Sequence, residues 1–229
     1  MKKLRIASYN IRKAVGLDWR RNGGRIVEVL AEINADIVVL QEADKRIGQR
    51  AGVLPVDMLA QDLGYTFADV SVRPQSHGWH GNAILYRPQS LLLSNTQRIL
   101  LPSLEPRGAI SAHFGAPGIE VVGVHLALNR GIRLKQVAAL GEQFKSADHC
   151  VLIAGDFNTW REDGNMLRLL GTGFTQIAPG NSFHAARPMA ALDRFMLKGA
   201  SAESESFVHQ SPLSLRASDH LPIVMDLEY

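Results

Sequence analysis

The sequence predicts an α/β protein in which two mainly antiparallel β-sheets pack face to face with helices outside. Three observations predict it. Strand-like runs outnumber helical ones, and Pro and Gly punctuate the middle of the chain as they do between antiparallel strands. Helical patterns interrupt both halves of the chain. Two apolar runs, Asp36 to Leu40 and Cys150 to Ala154, lack polar alternation, so each reads as a strand buried on both faces. Layers of sheet and helix around a shared core satisfy that order.

Leu4 to Ser8 alternates enough to be the first strand. Arg25 to Ile33 spaces its apolar residues as a helix does, with Gly23 and Gly24 before it. Asp36 to Leu40 is the second strand. Val56 to Leu63 is a short helix that Gly64 can stop. From Tyr65 to Val124 the texture is strand-rich, with runs at Asn82 to Tyr86, Gln97 to Leu101, Gly108 to Phe114 and Ile119 to Val124. Ile132 to Phe144 is a second amphipathic helix. Cys150 to Ala154, Leu192 to Leu197, Ala202 to Val208 and Pro222 to Leu227 complete the strands. No internal repeat, low-complexity tract or long linker is visible, so residues 1–229 are expected to form one domain.

A chain of 229 residues can bury roughly 70–75% of its unfolded surface in one sizeable core. The formal charge of +3 comes from 25 basic and 22 acidic residues mixed along the chain. That balance does not single out nucleic acid, whose binders cluster basic charge on one face. Cys150 is the only cysteine, so an intrachain disulfide is excluded and a reducing compartment fits. Met1-Lys2-Lys3 is not followed by the apolar stretch of about 7–15 residues that marks a signal peptide. No apolar run approaches the ~20 residues that span a bilayer. A soluble, cytoplasmic protein is expected, with a monomer as the default.

Polar groups recur where the apolar runs end. Tyr9-Asn10, Gln41-Glu42, His125 and Gly155-Asp156-Phe157-Asn158 each close one, and Asp219-His220 opens the last. Packing does not demand this, whereas a divalent-metal site for phosphate ester hydrolysis would. A hard cation screens the anionic phosphate, stabilises the leaving oxygen and prefers carboxylate, amide and water oxygens. Glu42 is the best single ligand candidate, a solvated strand end being the alternative. Asn10 is a ligand candidate or a turn former. Asp156 and Asn158, two apart, can point the same way from an extended segment, one taking a proton from water while the other fixes it. An Asx-rich turn is the competing reading. His125 is a strand-end imidazole, catalytic or packed. His220 can donate to a phosphate oxygen if a carboxylate holds its other nitrogen. Asp193 interrupts an apolar run and needs a partner if buried, either His220 or the adjacent Arg194.

Tyr9-Asn10, Gln41-Glu42, Gly81-Asn82-Ala83, His125-Leu126, Gly155-Asp156-Phe157-Asn158, Leu192-Asp193-Arg194 and Ser218-Asp219-His220 occur in this order. In that order and at comparable spacings they resemble the endonuclease/exonuclease/phosphatase superfamily. Its members include deoxyribonuclease I, abasic-site endonucleases, neutral sphingomyelinases and inositol polyphosphate 5-phosphatases. The resemblance runs from Leu4 to Leu227 and is greatest to small bacterial members. It implies a four-layer α/β/β/α sandwich and Mg²⁺-dependent phosphoester hydrolysis, with Mn²⁺ as a possible substitute. Asn10, Glu42 and Asp219 match metal-site positions. Asp156 matches the residue that activates or aligns water, and Asn158 its orienting neighbour. His125 and His220 match phosphate-contacting histidines, Asp193 the acid that orients the last one, and Asn82 a position near the substrate phosphate.

Arg133 and Gln136, three apart on a helix, are open between packing and substrate contact. Arg107 is a further phosphate-contact candidate. The chain lacks the long insertions of phosphoinositide enzymes, the apolar docking hairpin of sphingomyelinases and the strand-reading elements of abasic-site enzymes. In their place Ser76-His77-Gly78-Trp79-His80 precedes Asn82, and His77 and His80 are read as bordering the substrate pocket. A packed surface loop is the alternative. The expected activity is hydrolysis of a phosphodiester or phosphomonoester, with DNA or RNA cleavage as one version. A binding module for a phosphorylated ligand, without turnover, is the competing class.

Overall fold

Alternating side chains along the strands build three separate apolar cores, and three cores require four layers. The computed structural model of the chain describes residues 3–103, 108–160, 164–199 and 204–228. The first sheet contains β1 (Lys3–Asn10), β2 (Ile37–Gln41), β3 (Thr66–Phe67), β4 (Ala83–Tyr86), β11 (Ser204–Val208) and β12 (Ile223–Glu228). Its order is β11-β12-β1-β2-β4-β3. The second contains β5 (Leu93–Leu100), β6 (Gly108–Phe114), β7 (Ile119–His125), β8 (Cys150–Asp156), β9 (Phe174–Ile177) and β10 (Asp193–Lys198), in the order β5-β6-β7-β8-β10-β9.

Leu4, Ile6, Ile37, Val39, Ile84, Val121, Leu152, Phe195 and Met225 fill the space between the sheets. Their neighbours in sequence face the other way. Ala7, Tyr9, Val38, Leu40 and Leu85 pack against the helices α1 (Gly23–Ile33) and α2 (Val56–Leu63). Val122, Val124, Val151, Ile153 and Met196 pack against α3 (Arg130–Gln143) and α4 (Gly164–Leu170). This explains the missing alternation in β2 and β8: both faces of each strand are covered. Each fully buried Val, Leu or Ile contributes about 1.5–3 kcal/mol.

The two sheets share one connectivity. β1 and β2 are parallel and joined through α1; β7 and β8 are parallel and joined through α3. Every other pairing of named strands is antiparallel. In each sheet the central parallel pair is flanked by antiparallel strands in matching order. The sequence shows no repeat, yet the topology repeats, because burial requires only apolar residues at matching positions and not the same ones.

Most elements begin and end within a few residues of expectation, and Gly64 caps α2 in the left-handed conformation, φ 68°. Three differences have clear causes. Gly23 and Gly24 form the first turn of α1 rather than preceding it, because the Asn22 side chain caps the helix by accepting from Arg25 N. β5 starts at Leu93, since Leu93 to Gln97 lies on an exposed edge and carries little apolar signal. Short elements were not anticipated: β3, β9, α4 and α5 (Ser214–Ala217) each span seven residues or fewer. The expected strand at 202–208 is described from Ser204 onward. No helix among the described residues is long and apolar enough to cross a membrane.

Candidate active site

The ends of the central strands meet at Asp156. β8 ends there, and its Cα partner on parallel β7 is His125, the last residue of that strand. On the opposite side β10 starts at Asp193, again paired with Asp156. Gly155 allows the close approach. Its φ is 152°, and a Cβ there would meet Val124 O at 1.9 Å.

Asp156 is 1% exposed, and its two carboxylate oxygens have different surroundings. Oδ1 accepts from Asn158 N at 2.9 Å. Oδ2 accepts from Asn10 Nδ2 at 3.1 Å and lies 3.5 Å from His125 Nε2 and 3.7 Å from His220 Nε2. One oxygen thus faces an amide and two imidazoles from three distant parts of the chain. Asn158 corrects the expectation of an extended segment. It has φ 51°, so the Asp156–Asn158 pair is made by an Asx turn, and Asn158 Nδ2 donates to Leu126 O at 2.8 Å.

His220 is held from its other nitrogen. Nδ1 is 2.8 Å from Asp193 Oδ2, which also accepts from Ser182 Oγ at 2.5 Å. The Phe183 ring lies 4.9 Å from the imidazole, and Trp160, 62% exposed, meets Phe183 edge-on at 5.5 Å. Burial disfavours the charged imidazole, but Asp193, Asp156 and Asp219 outweigh it and raise the His220 pKa to about 9. Asp193 is therefore the partner of His220, while Arg194 donates to Ala191 O and Thr159 O.

Glu42 follows β2 with φ 54°, a left-handed conformation unusual for a non-glycine residue. Its carboxylate pairs with Lys13 Nζ. Asp219 Oδ2 is 3.3 Å from Arg12 Nε, and Asn10 Oδ1 accepts from Arg12 N at 3.1 Å. Arg12 and Lys13 also have positive φ, so strained backbone gathers on this side of the site. One grouping among the described residues has the geometry of a metal site. Asp156, Asp193 and His220 offer donor atoms within 4.8 Å of one another, which could hold a cation.

A cleft of about 230 Å³ opens beside these residues. Glu42, Asn82, His125 and Lys13 line one part of it, and Asp44, Lys45, Arg46, Arg50 and His80 the rest. Asn82 is buried and donates to Gly108 O at 2.8 Å, while its Oδ1 has no hydrogen-bond partner among the described residues. His80 lines this cleft. His77 does not. Its Nε2 accepts from Leu54 N at 2.9 Å and its ring stacks on Phe67 at 4.5 Å, so the imidazole is spent on the loop's own packing. Burial lowers its pKa, consistent with a neutral acceptor. Arg107 lies outside the described residues.

Arg133 and Gln136 take the packing reading. Gln136 Oε1 accepts from Ala127 N at 2.8 Å, and Arg133 Nη1 donates to Ala127 O and Leu128 O. They brace the loop after His125. Sequence reasoning missed Arg12, Lys13, Ser182, Phe183 and the basic residues of 45–50. Arg12 and Lys13 immediately follow Asn10-Ile11, and that adjacency was the available signal. Ser182 and Phe183 had none.

Residues 7–220 match the family model described as Endonuclease/Exonuclease/phosphatase family, and the chain belongs to that family. A curated relative, the protein YbhP of Escherichia coli (strain K12), described as uncharacterized, is 29% identical over 225 residues, covering 87% of this chain and 86% of YbhP. Among solved structures, D. rerio TDP2 complexed with single strand DNA product superposes with a TM-score of 0.75 at 19% identity, over 100% of each chain. An endonuclease/exonuclease/phosphatase from Beutenbergia cavernae gives a TM-score of 0.75 at 19% identity, over 100% of this chain and 72% of that one. These likenesses show the fold. Family members are in general hydrolases of phosphoester bonds and use divalent metals.

Proposed function

We propose that this protein is a divalent-metal-dependent phosphoesterase that cleaves a phosphodiester, or a phosphomonoester, by attack of water on phosphorus. The observation that carries the reading is the setting of Asp156 Oδ2, with Asn10 Nδ2, His125 Nε2 and His220 Nε2 at 3.1, 3.5 and 3.7 Å.

Glu42, Asn10 and Asp219 are the residues assigned to the metal, Mg²⁺ or Mn²⁺. Their oxygen donors suit either ion, and Lys13 and Arg12 already place positive charge against the two carboxylates. The set Asp156, Asp193 and His220 is assigned to proton handling instead. Asp193 Oδ2 is already engaged by His220 Nδ1 at 2.8 Å and Ser182 Oγ at 2.5 Å, and the three nearby acids raise the His220 pKa, which favours the protonated ring. A bound Mg²⁺ would withdraw charge from the phosphate and ease departure of the leaving oxygen.

The side chains supply the remaining steps. Asp156 Oδ2 accepts the proton of the attacking water, and Asn10 Nδ2 and the two imidazoles fix its direction. His220 donates its Nε2 proton to a phosphate oxygen as charge builds there. Asp193 positions His220 and does not touch the substrate. His125 contacts the phosphate from the β7 side, and Asn158 holds the turn that aims Asp156. Bis-p-nitrophenyl phosphate with Mg²⁺ or Mn²⁺ tests the scheme. Asp156→Ala is expected to lower the rate on the order of 10²-fold or more. Equal rates for the two proteins would sink it.

A further inference from the structure

The cleft carries more positive charge than one phosphate needs. Lys45, Arg46 and Arg50 line it beside His80. Among the described residues none of these three cations lies within ion-pair distance of a carboxylate. The one acid on their loop, Asp44, lines the cleft too, but it is buried and both its oxygens are engaged, accepting from Ser76 Oγ at 2.7 Å and His77 N at 2.8 Å.

The loop is also tied down. Lys45 N donates to Ala51 O, Gly52 N to Gln75 O and Arg73 Nη1 to Gly48 O, at 3.0, 2.7 and 2.9 Å. Arg50 Nη1 rests 3.3 Å from His80 Nδ1. Lys45, Arg46 and Arg50 on a braced loop outnumber its single acid, Asp44, and Glu42 in the same lining is paired with Lys13, so the cleft keeps a net positive field that an anion relieves.

Resting on the phosphoesterase reading, we propose that this cleft is a subsite for a second phosphate, so that the substrate is a compact phosphoester carrying another phosphate a few bonds from the scissile one. Arg46 and Arg50 grip it through charge-assisted hydrogen bonds. Lys45 and His80 close the rim. Compactness rests on the volume of about 230 Å³ and on the cleft's lining, in which no Phe, Tyr or Trp stands among the described residues, Trp160 lying instead beside Phe183 and His220.

Two probes differing only in the second phosphate test this: thymidine 5′-(p-nitrophenyl phosphate) and its 3′-phosphorylated counterpart. The wild type should favour the 3′-phosphorylated probe in kcat/KM on the order of tenfold or more, mainly through KM. Arg46→Gln with Arg50→Gln should bring the ratio close to one. Equal kcat/KM for the two probes in the wild type, or a preference that survives the double substitution, overturns the subsite. Single-stranded oligonucleotides whose kcat/KM climbs steadily with length would overturn the compact substrate. If neither probe is hydrolysed, the phosphoesterase reading is left to its own test on bis-p-nitrophenyl phosphate and the subsite is judged separately by calorimetry with inorganic pyrophosphate in EDTA. Binding that the double substitution abolishes supports it, and no binding to the wild type refutes it.

Discussion

The two sheets end in the same geometry and carry different chemistry. Matching the parallel pairs, Asn10 and Gln41 close β1 and β2 in register, as His125 and Asp156 close β7 and β8. Asn82, just ahead of β4, takes the place that Asp193 takes at the start of β10. At three matching positions the first sheet has Asn10, Gln41 and Asn82, and the second has His125, Asp156 and Asp193. Side-chain amides are uncharged, do not titrate and can only hydrogen-bond. Imidazoles and carboxylates can also exchange protons. At these three positions one scaffold thus offers neutral, orienting amides at one sheet and titratable groups at the other, while Glu42, one residue beyond β2, and Asp219-His220, ahead of β12, bring titratable groups to the first sheet's end from outside its strands.

The largest test of that division compares Asp193→Asn with Glu42→Gln. Removing one member of a charge-linked catalytic pair is expected to lower kcat on the order of 10²–10³-fold. Glu42→Gln should fall by about 10²-fold at low Mg²⁺ and recover substantially as Mg²⁺ is raised, whereas Asp193→Asn should not recover at any concentration. If both respond alike to metal, the two sheet ends are not chemically distinct.

A second test reads the charge directly. The His220 pKa is raised, so its imidazolium persists as pH climbs and is lost only through about 9. In Asp193→Asn that loss should move to lower pH, because the largest favourable charge has gone while burial still opposes protonation. Proton NMR of the metal-free protein follows the ring resonances. An unshifted midpoint would break the link between Asp193 and His220.

The backbone comparison gives a stability prediction. The β2 position matching Gly155 is Leu40, a large core residue. Gly155→Ala would put a Cβ 1.9 Å from Val124 O in a left-handed conformation and should cost about 2–4 kcal/mol in urea unfolding. The smallest effect concerns Arg5 and Asp226, opposite each other on β1 and β12, with both guanidinium contacts at 2.7 Å. The Arg5 hydrogen bond holds the Asp226 pKa below its ordinary value despite some burial. That stabilisation is present above the unfolded carboxylate range and is lost as pH falls through the depressed folded value. Because Arg5 is partly exposed, Asp226→Asn should cost about 0.5–1 kcal/mol at pH 7 and progressively less as pH falls below the ordinary carboxylate range.

His77 and His80 show where local reading stops. Both sit in one polar-aromatic motif, yet one packs on Phe67 and the other reaches the cleft. Nothing in the five-residue stretch distinguishes them, because what differs is the partner each meets from elsewhere. The Asp156–Asn158 turn was legible only as one of two readings, since a φ of 51° leaves no mark on an Asp-Phe-Asn sequence.

By itself the sequence determined the longer strands, though not the short β3 and β9, that β2 and β8 are covered on both faces, and which polar residues stand at strand ends. Those are consequences of hydrophobic period and chain punctuation, both local. Only the tertiary structure decided that Asp156 shares one oxygen among Asn10, His125 and His220, that Arg12 and Lys13 accompany the acids, and that Lys45, Arg46 and Arg50 face the same cleft. Those depend on register between strands far apart in the chain, and register is set by the packing of the whole sandwich.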